Sequence, residues 1–440
     1  MNSGNGPIPA GASLPGVAPA LPRYAGGRYR ITAGHLFLGA AILLLLLTVV
    51  VPNSLPVPTG AAMGLAFLLA LPGLQIGPGF RNLLACYGVT VVVTVAYMIV
   101  GGMHGATMVA LAQTAVIYIF SPLLWMVIAH ALLKRLGTER LIDWFAMLSV
   151  LCAVSVAAFF YLYLRHGAAA VAFFFKGANV NLNDGFSGAT MHVYGSLIFL
   201  SGAFFSSPEL IRSRLLRFAL LGMLLASALT SGRSALILSV PLGWCLGLAL
   251  MSRTIGNTRK SAFTQLIRYG VPMLAAAAAA LALLQAYTQI NLGTVLTTVT
   301  DKLASGGGSA RVQMGRSLFS GILGNGGLGS GHGVGVPFVS DPIHPWRYEL
   351  VWVATLYRVG ILGALVYALP FLLYFVAILR LAHARRLPAR HKFMFCGLVC
   401  AFLATNTNPY IEAFAFQWMY VVPLVALAIE YRACFRQEPA

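Results

Sequence analysis

Long apolar stretches separated by short polar segments run along nearly the whole chain. Most of them approach the ~20 residues that a helix needs to cross the hydrocarbon layer of a bilayer. In the first half, the pattern predicts membrane helices at 35–51, 57–77, 82–100, 106–133, 141–164 and 189–206. In the second half, it predicts them at 217–230, 234–251, 269–288, 350–378, 393–407 and 414–431. An even number of spans places both chain termini on one side of the membrane.

The regions between and beyond these stretches divide the chain into five parts. Residues 1–33 are rich in Gly, Pro and Ala and form a flexible basic tail. The first nine helices occupy 34–288, and a long loop covers 289–349. The last three helices occupy 350–431, and a short tail covers 432–440. The first apolar run lacks the features of a cleaved signal peptide, so we expect it to be retained as a helix.

Composition excludes a soluble protein. Hydrophobic residues make up 59% of the 440 residues, charged residues 9%, and the mean hydropathy is +0.83. A soluble domain carries roughly 25% charged residues to wet its surface. Five of the six cysteines lie in apolar runs and the sixth in a basic tail, which argues against a disulfide framework and against a zinc site. The sequence therefore predicts an all-α integral membrane protein with about twelve spans.

The net charge of +19 follows the predicted topology. With the N-terminus in the cytoplasm, 21 of the 29 Lys and Arg residues fall on the cytoplasmic side and eight on the other side. This asymmetry is typical of membrane proteins, whose cytoplasmic loops are enriched in basic residues. A nucleic-acid partner is not needed to explain the charge.

The predicted outer side is unusual in its loops. Most are short turns, but 165–188 is moderate and 289–349 is long. Long loops in compact proteins are often functional. Together with the outer basic residues, this favours chemistry on an anionic substrate at the outer membrane face. A solvated loop held by lipid headgroups is the alternative.

Arg233 is the first candidate site residue. It lies in Ser231-Gly232-Arg233-Ser234, between two apolar arms barely long enough for two spans. A guanidinium near the membrane interface is costly unless it is paired. An arginine fork facing a phosphate at headgroup depth fits this position. An arginine that merely extends to the lipid headgroups is the alternative.

The long loop holds a second group of candidates. Arg311 and Arg316 precede a glycine-rich run, Gly321–Gly335, that contains His332. One part formally matches G-x-G-x-x-G, but no strand–turn–helix unit surrounds it, so a dinucleotide site is rejected. The glycines permit a non-helical path whose backbone amides are open to a diphosphate. A flexible linker is the alternative.

His344 lies at the entrance to the tenth span. The segment Asp341-Pro342-Ile343-His344-Pro345-Trp346-Arg347-Tyr348-Glu349 fixes the backbone around it with two prolines. Arg347 and Glu349 follow closely. A histidine in this setting is a candidate proton-transfer group, because its charge changes near neutral pH.

Taken in order, these motifs resemble the O-antigen ligase and polysaccharide polymerase superfamily. Gly326–Gly331 corresponds to the family's P-L-x-G-x-G, and His344 with Arg358–Leu365 corresponds to its H-N…E-x-G-I-x-G. The chain has Pro345 where the family usually has Asn, and Arg358 where an acid is common. The resemblance covers roughly 190–380.

The resemblance implies a GT-C-like helical protein of the bacterial inner membrane, with both termini in the cytoplasm and its active site on the periplasmic face. It assigns Arg233 and Arg311 to the diphosphate of a polyprenyl-linked glycan donor, and His344 to activation of the acceptor hydroxyl. The remaining candidates for substrate binding are Arg316, His332, Arg347, Arg358 and Glu349.

The residues fit this chemistry without a metal or cofactor. A glycosyl diphosphate carries its own leaving group, so catalysis needs charge stabilisation at the departing oxygens and a base at the incoming hydroxyl. The chain has no D-x-D motif, and arginines can replace the metal that binds diphosphate in soluble glycosyltransferases. Attack opposite the leaving group predicts inversion at the anomeric carbon.

Several functions share this donor chemistry. The short interval from Arg311 to His344 favours the polymerase of a surface or exopolysaccharide, because ligases and protein O-oligosaccharyltransferases tend to have larger outer domains. An O-antigen ligase that transfers the glycan to lipid A-core is the main alternative. A lipid-linked oligosaccharide flippase is a second one, although transporters commonly show related halves and place charges near the bilayer midplane.

Overall fold

The computed structural model describes residues 33–172, 178–180, 189–255, 270–287, 308–339 and 341–436, together with residues 293 and 297. Residues 1–32 of the predicted N-terminal tail lie outside the described residues. So do most of the first part of the predicted long loop, up to residue 307, and residues 437–440 of the C-terminal tail.

The first half of the described chain is mainly helical. The helices are α1 Ala33–Leu45, α2 Pro56–Ala70, α3 Pro78–Met103, α4 Met108–Ala115, α5 Ser121–His166, α6 Ala168–Val171 and α7 Val193–Ser206. Single π-helical turns, Leu46–Val50 and Val116–Phe120, continue α1 and α4. A short antiparallel ladder pairs β1, Asn179–Val180, with β2, Ala189–Thr190.

The second half adds seven further described helices. They are α8 Arg214–Thr230, α9 Ser234–Met251, α10 Val271–Tyr287, α11 Gly308–Gly324, α12 Val351–His383, α13 Ala389–Thr405 and α14 Trp418–Arg436. Short 3-10 turns lie at Leu71–Gly73, Pro208–Leu210, Tyr410–Glu412 and Phe414–Phe416.

Seven helical stretches of the described chain are long and apolar enough to cross a membrane. They are Ala33–Val50, Pro56–Gly73, Pro78–Met103, Met108–His166, Ser234–Met251, Val351–His383 and Phe414–Phe435. Helix α3 keeps large apolar side chains such as Val92 and Ile99 on the outside of the protein, which suits contact with lipid. The chain is therefore an all-α, multi-pass membrane protein, and twelve spans remain a prediction.

Two long helices are interrupted by glycines. Met108–His166 is one helical stretch where the sequence predicts two spans, and Gly137 breaks it with φ 74° and ψ 161°. Gly360 breaks α12 in the same way, with φ 65° and ψ −176°. Residues with a side chain rarely adopt these conformations. The first break lies in the polar segment 134–140, whereas the second lies inside a predicted membrane span, two residues after Arg358.

Helix α11 lies inside the predicted long loop. Its apolar residues Met314, Leu318 and Ile322 recur every four positions, which places them on one face. That face packs against Tyr348 and Tyr357 in a small core of its own. The helix is too polar to cross a membrane, so a search for apolar stretches does not predict it.

Small residues hold the centre of the bundle together. Every residue of α7 is buried. Gly243 and Gly247, one turn apart on α9, face Gly202 and Ser206 on α7. A Cβ added at Gly247 would lie 2.6 Å from the carbonyl oxygen of Ser206. A Cβ added at Gly243 would overlap the carbonyl oxygen of Gly202. Small residues let membrane helices approach closely, which supplies the packing that lipid itself does not drive.

The described helices connect two opposite ends of the bundle. At one end, Glu430 of α14 contacts Arg390 and His391, which begin α13. At the other end, Thr407 follows α13 and Glu412 precedes α14. We call the end with Thr407 and Glu412 the upper end, and the end with Arg390 and Glu430 the lower end.

Candidate functional site

The segment 325–336 joins the candidate residues to the helix bundle. Gly326, Gly327, Gly329, Gly331 and Gly333 all have positive φ, so the path is non-helical, as the sequence predicts. At Gly331, an added Cβ would overlap the backbone of α3. The segment therefore lies directly on the helices, and its glycines are required for close packing.

Helix carbonyls accept the backbone amides of this segment. Ser330 and Gly331 donate to the carbonyl oxygens of Tyr357 and Arg358, at 2.8 and 2.9 Å, and His332 donates to Tyr97 at 2.9 Å. The break at Gly360 permits this, because the amide of Ile361 turns away to the Gly327 carbonyl, 3.0 Å away. The prediction that the glycine run offers open amides to a diphosphate is therefore wrong for residues 330–332.

Arg233 lies at the upper end, between α8 and α9. Gly232 has φ 57°, and the Ser231 hydroxyl accepts the Arg233 amide at 3.1 Å, which turns the chain sharply. The half-buried guanidinium donates through Nη1 to the Asn408 side-chain oxygen at 3.0 Å. This contact reaches across the bundle to the segment that follows α13.

Arg311, in the first turn of α11, reaches the same segment. Its Nη2 donates to the Thr407 carbonyl at 3.0 Å, and its Nε donates to Glu349 at 2.8 Å. The two arginines assigned to the diphosphate therefore meet on adjacent residues, although they lie far apart in the sequence.

Arg358 makes a buried ion pair with a residue of the same segment, Glu412. It is 4% exposed and pairs through Nη1 with Glu412, which also accepts from the Tyr118 hydroxyl at 2.6 Å. Its Nη2 donates to the Trp346 carbonyl at 2.7 Å. A buried cation needs such partners. Arg358 thereby ties the segment that holds His344 to the segment that holds Thr407.

His344 is braced on two sides. Its Nδ1 lies 2.9 Å from the Asp341 carboxylate, and the hydrogen bond with His344 holds the pKa of Asp341 below its ordinary value. The Trp346 ring packs edge-on against the imidazole, with 5.7 Å between ring centroids. The imidazole is partly open to solvent.

The other candidates take different positions. His332 is 1% exposed and its Nε2 lies 2.9 Å from the Tyr367 hydroxyl. Burial, with a contribution from Arg358, lowers the pKa of His332 to about 3, so it is neutral inside the protein. Arg347 is exposed and donates to Gln113 at 3.2 Å. Arg316 is exposed on α11.

The structure brings Arg233, Arg311, Glu349 and Arg358 together on two segments, 341–349 and 406–412. Sequence reasoning missed the second segment, which holds Thr407, Asn408 and Glu412. Its signal is the polar run Thr405-Asn406-Thr407-Asn408-Pro409 between two apolar stretches, where Asn-Pro marks a turn.

The described residues offer one group of possible metal ligands. At the lower end, His391, Glu430 and Cys434 lie close together. The Glu430 carboxylate already accepts from Arg390, His391 and Thr138. At the upper end, the carboxylates of Asp341, Glu349 and Glu412 are each paired with a different basic side chain. Among the described residues, the upper end thus holds separate ion pairs rather than a shared carboxylate cluster.

The resemblance to the O-antigen ligase and polysaccharide polymerase superfamily rests on the sequence motifs alone. No protein-family model, curated protein or solved structure matches this chain.

Proposed function

We propose that the upper end is the active site of a membrane glycosyltransferase. Its donor is a polyprenyl-diphosphate-linked glycan, and its acceptor is a sugar hydroxyl. The observation that carries the proposal is the meeting of Arg233 and Arg311 on Thr407 and Asn408. Two guanidinium groups from separate parts of the chain thereby contact consecutive residues at the end of a bundle of apolar helices.

Two arginines suit a diphosphate. A guanidinium has five N–H donors in a planar fork, and phosphate oxygens accept them in pairs. Asn408 accepts one donor of Arg233, while Thr407 and Glu349 accept two of Arg311. The remaining donors serve the ligand. Glu349 pairs with Arg311, and in the proposed reaction the diphosphate of the donor takes the place of Glu349 at this guanidinium.

The proposed reaction needs one base and one charged leaving group. The acceptor oxygen forms a bond to the anomeric carbon of the donor, and the bond from that carbon to the diphosphate breaks. The acceptor proton passes to His344, and polyprenyl diphosphate leaves with its negative charge stabilised by Arg233 and Arg311. Attack opposite the leaving group inverts the anomeric carbon.

The distribution of basic residues supports a periplasmic site in a bacterial inner membrane. The lower end and its connecting segments hold many of them, including Arg135, Arg217, Arg253, Arg390 and Lys392. Cytoplasmic segments of membrane proteins are enriched in Lys and Arg. The lower end is therefore cytoplasmic in this proposal, and both tails lie on that side.

The compact upper end favours a polymerase of a surface or exopolysaccharide over a ligase. Residues 308–324 form α11, and 325–336 pack on α3 and α12. These described segments form part of the helix bundle rather than a separate acceptor-binding domain. A growing chain on one lipid carrier, transferred to a repeat unit on another, needs no such domain.

The test uses purified protein in proteoliposomes, with lipid-linked donor supplied on the leaflet at the upper end. Arg233→Ala and Arg311→Ala should each lower product formation by about 100-fold or more, the cost of removing a charge-stabilising donor. Lysine should rescue poorly at either position, because a point charge cannot reproduce the bidentate contact. Activity should survive EDTA.

Arg253→Ala is the matched control, because Arg253 is exposed at the lower end and should be dispensable. Wild-type product formation by both upper-end alanine variants would overturn the proposal, as would strict dependence on a divalent ion.

His344→Ala should lower turnover by ~10²–10⁴-fold, the usual contribution of a general base. Donor binding should be largely kept, because it depends on the arginines. His383→Ala, at an exposed histidine of the lower end, is the control. Full activity of His344→Ala would remove His344 as the base and leave the arginine site to be judged separately.

A further inference from the structure

The Asp341–His344 pair is held by its own turn. One Asp341 carboxylate oxygen accepts the Ile343 amide at 2.9 Å, and the other lies 2.9 Å from His344 Nδ1. The Asp341 carbonyl oxygen accepts the His344 amide at 3.1 Å. Pro342 restricts the backbone between them. The carboxylate is therefore aimed at one particular ring nitrogen before any substrate binds.

This geometry determines which ring nitrogen is free. An ionised carboxylate only accepts hydrogen bonds, so Nδ1 of the neutral imidazole must carry the proton. Nε2 then has an open lone pair. Trp346 packs against the ring and restrains its rotation, with its own Nε1 donating to Gln113 at 3.3 Å.

Other charged groups in the segment are engaged elsewhere. Glu349 pairs with Arg311, and Arg347 donates to Gln113. Arg358 pairs with Glu412 and reaches this segment only through the Trp346 carbonyl. Among the described residues, the carboxylate bonded to His344 is that of Asp341.

We propose that Asp341 is a positioning residue for the transfer reaction, fixing His344 with its proton on Nδ1 so that Nε2 receives the proton of the acceptor hydroxyl. The inference rests on the proposed function, in which His344 is the base. As the new glycosidic bond forms and the diphosphate leaves, the imidazole becomes positively charged, and the Asp341 carboxylate stabilises that charge. Asp341 itself keeps its negative charge throughout.

The test compares Asp341→Asn with Asp143→Asn, a matched change at an exposed aspartate of the cytoplasmic end in the proposed orientation. Asp341→Asn should lower turnover at least ~10-fold, because loss of the orienting carboxylate in a related histidine–aspartate pair costs far more than that. The KM for donor should change less than twofold. Asp143→Asn should match the wild type in both.

The pH profile separates positioning from a structural role. In Asp341→Asn, the acid limb of the turnover profile should move to lower pH, because the protonated imidazole loses its neighbouring negative charge. Asp341→Glu should restore part of the turnover and return the limb toward the wild-type position. A purely structural role would lower the yield of folded protein and leave the limb in place, which would overturn the inference.

Different results would refute the assignment of His344 as the base and the role of Asp341. If His344→Ala is fully active, the assignment of the base fails and this inference fails with it. If His344→Ala is inactive while Asp341→Asn keeps wild-type turnover and pH profile, only the role of Asp341 is refuted.

Discussion

Two arginine–glutamate pairs at the upper end have the same chemistry in different surroundings. The side chains of Arg358 and Glu412 are 5% and 8% exposed, whereas those of Arg311 and Glu349 are 32% and 40% exposed. Removing one partner of a buried pair leaves an uncompensated charge, which is costly. Water screens an exposed pair, which therefore contributes little to stability. The first pair should hold the fold, and the second is free to exchange partners.

Glu412→Gln should lower the free energy of unfolding by ~3–5 kcal/mol, the cost of breaking a buried pair. Glu349→Gln should lower it by about 0–1 kcal/mol, as for exposed pairs. Unfolding in mixed micelles, followed by circular dichroism, measures both. Equal losses in the two variants would contradict the distinction between them.

His332 should make the stability of the fold depend on pH. Its pKa falls from the ordinary 6.5 to about 3 in the folded protein. Between these values the unfolded chain binds a proton that the native protein does not. Stability is therefore fully present above about pH 6.5 and is lost as the pH falls toward 3.

The measurement is the thermal midpoint between pH 4 and pH 7. The midpoint should fall less steeply on acidification in His332→Gln than in the wild type, while His383→Gln, at an exposed histidine, should keep the wild-type slope. Parallel slopes for wild type and His332→Gln would show that the buried ring takes up protons in the native state.

At the scale of elements, the apolar pattern predicts much of the helical framework and little of its junctions. Two apolar stretches flank Arg233, so hydropathy predicts a turn at this position, and the structure has that turn between α8 and α9. The break at Gly360 lies inside the predicted span 350–378, whose mean hydropathy gives no sign of a break. The meeting of Arg233 with Asn408 depends on which helices pack together. Apolar periodicity reports contact with lipid or core, but not which helix is the partner.

The glycine segment gives a test of one junction. Gly331→Ala should lower stability by at least ~2 kcal/mol, because it combines a positive φ with overlap against the backbone of α3. Gly324→Ala should be neutral or slightly stabilising, because open space surrounds that position and alanine favours helix. Thermal unfolding of the two variants measures the difference. Equal stability would show that α3 can move away from the segment.

At the scale of the whole molecule, the bundle has two chemically different ends. The upper end holds the arginines that meet at Thr407 and Asn408, together with the Asp341–His344 pair. The lower end holds the Glu430 cluster and the Lys392–Glu209 pair at 2.8 Å. The charge counts along the sequence predict an asymmetry between two sides. Which polar groups meet at each side follows only from the packing of α13 and α14.

Cysteine labelling tests which end faces outward. A cysteine at Ile343, whose side chain is 77% exposed at the upper end, should react with a membrane-impermeant thiol reagent in intact spheroplasts. A cysteine at Ala384, exposed at the lower end, should react only after permeabilisation. The wild-type protein supplies the background of native cysteines. The reverse pattern would place the arginines in the cytoplasm and remove the periplasmic site.

The positions of the Arg233 and Arg311 guanidinium groups are coupled, because the two side chains are bound by the consecutive residues Thr407 and Asn408. Consecutive Cα atoms are only ~3.8 Å apart, so one peptide group sets the spacing of the two anchor points. A shift of that peptide, caused for instance by a substitution at Pro409, displaces both guanidinium groups at once. A shift of the backbone therefore acts on both arginines, whereas a substitution of the Asn408 side chain acts directly on Arg233 alone. In the proposed function, the two linked phosphates of the donor bind across this interval, and substitutions around it should combine non-additively.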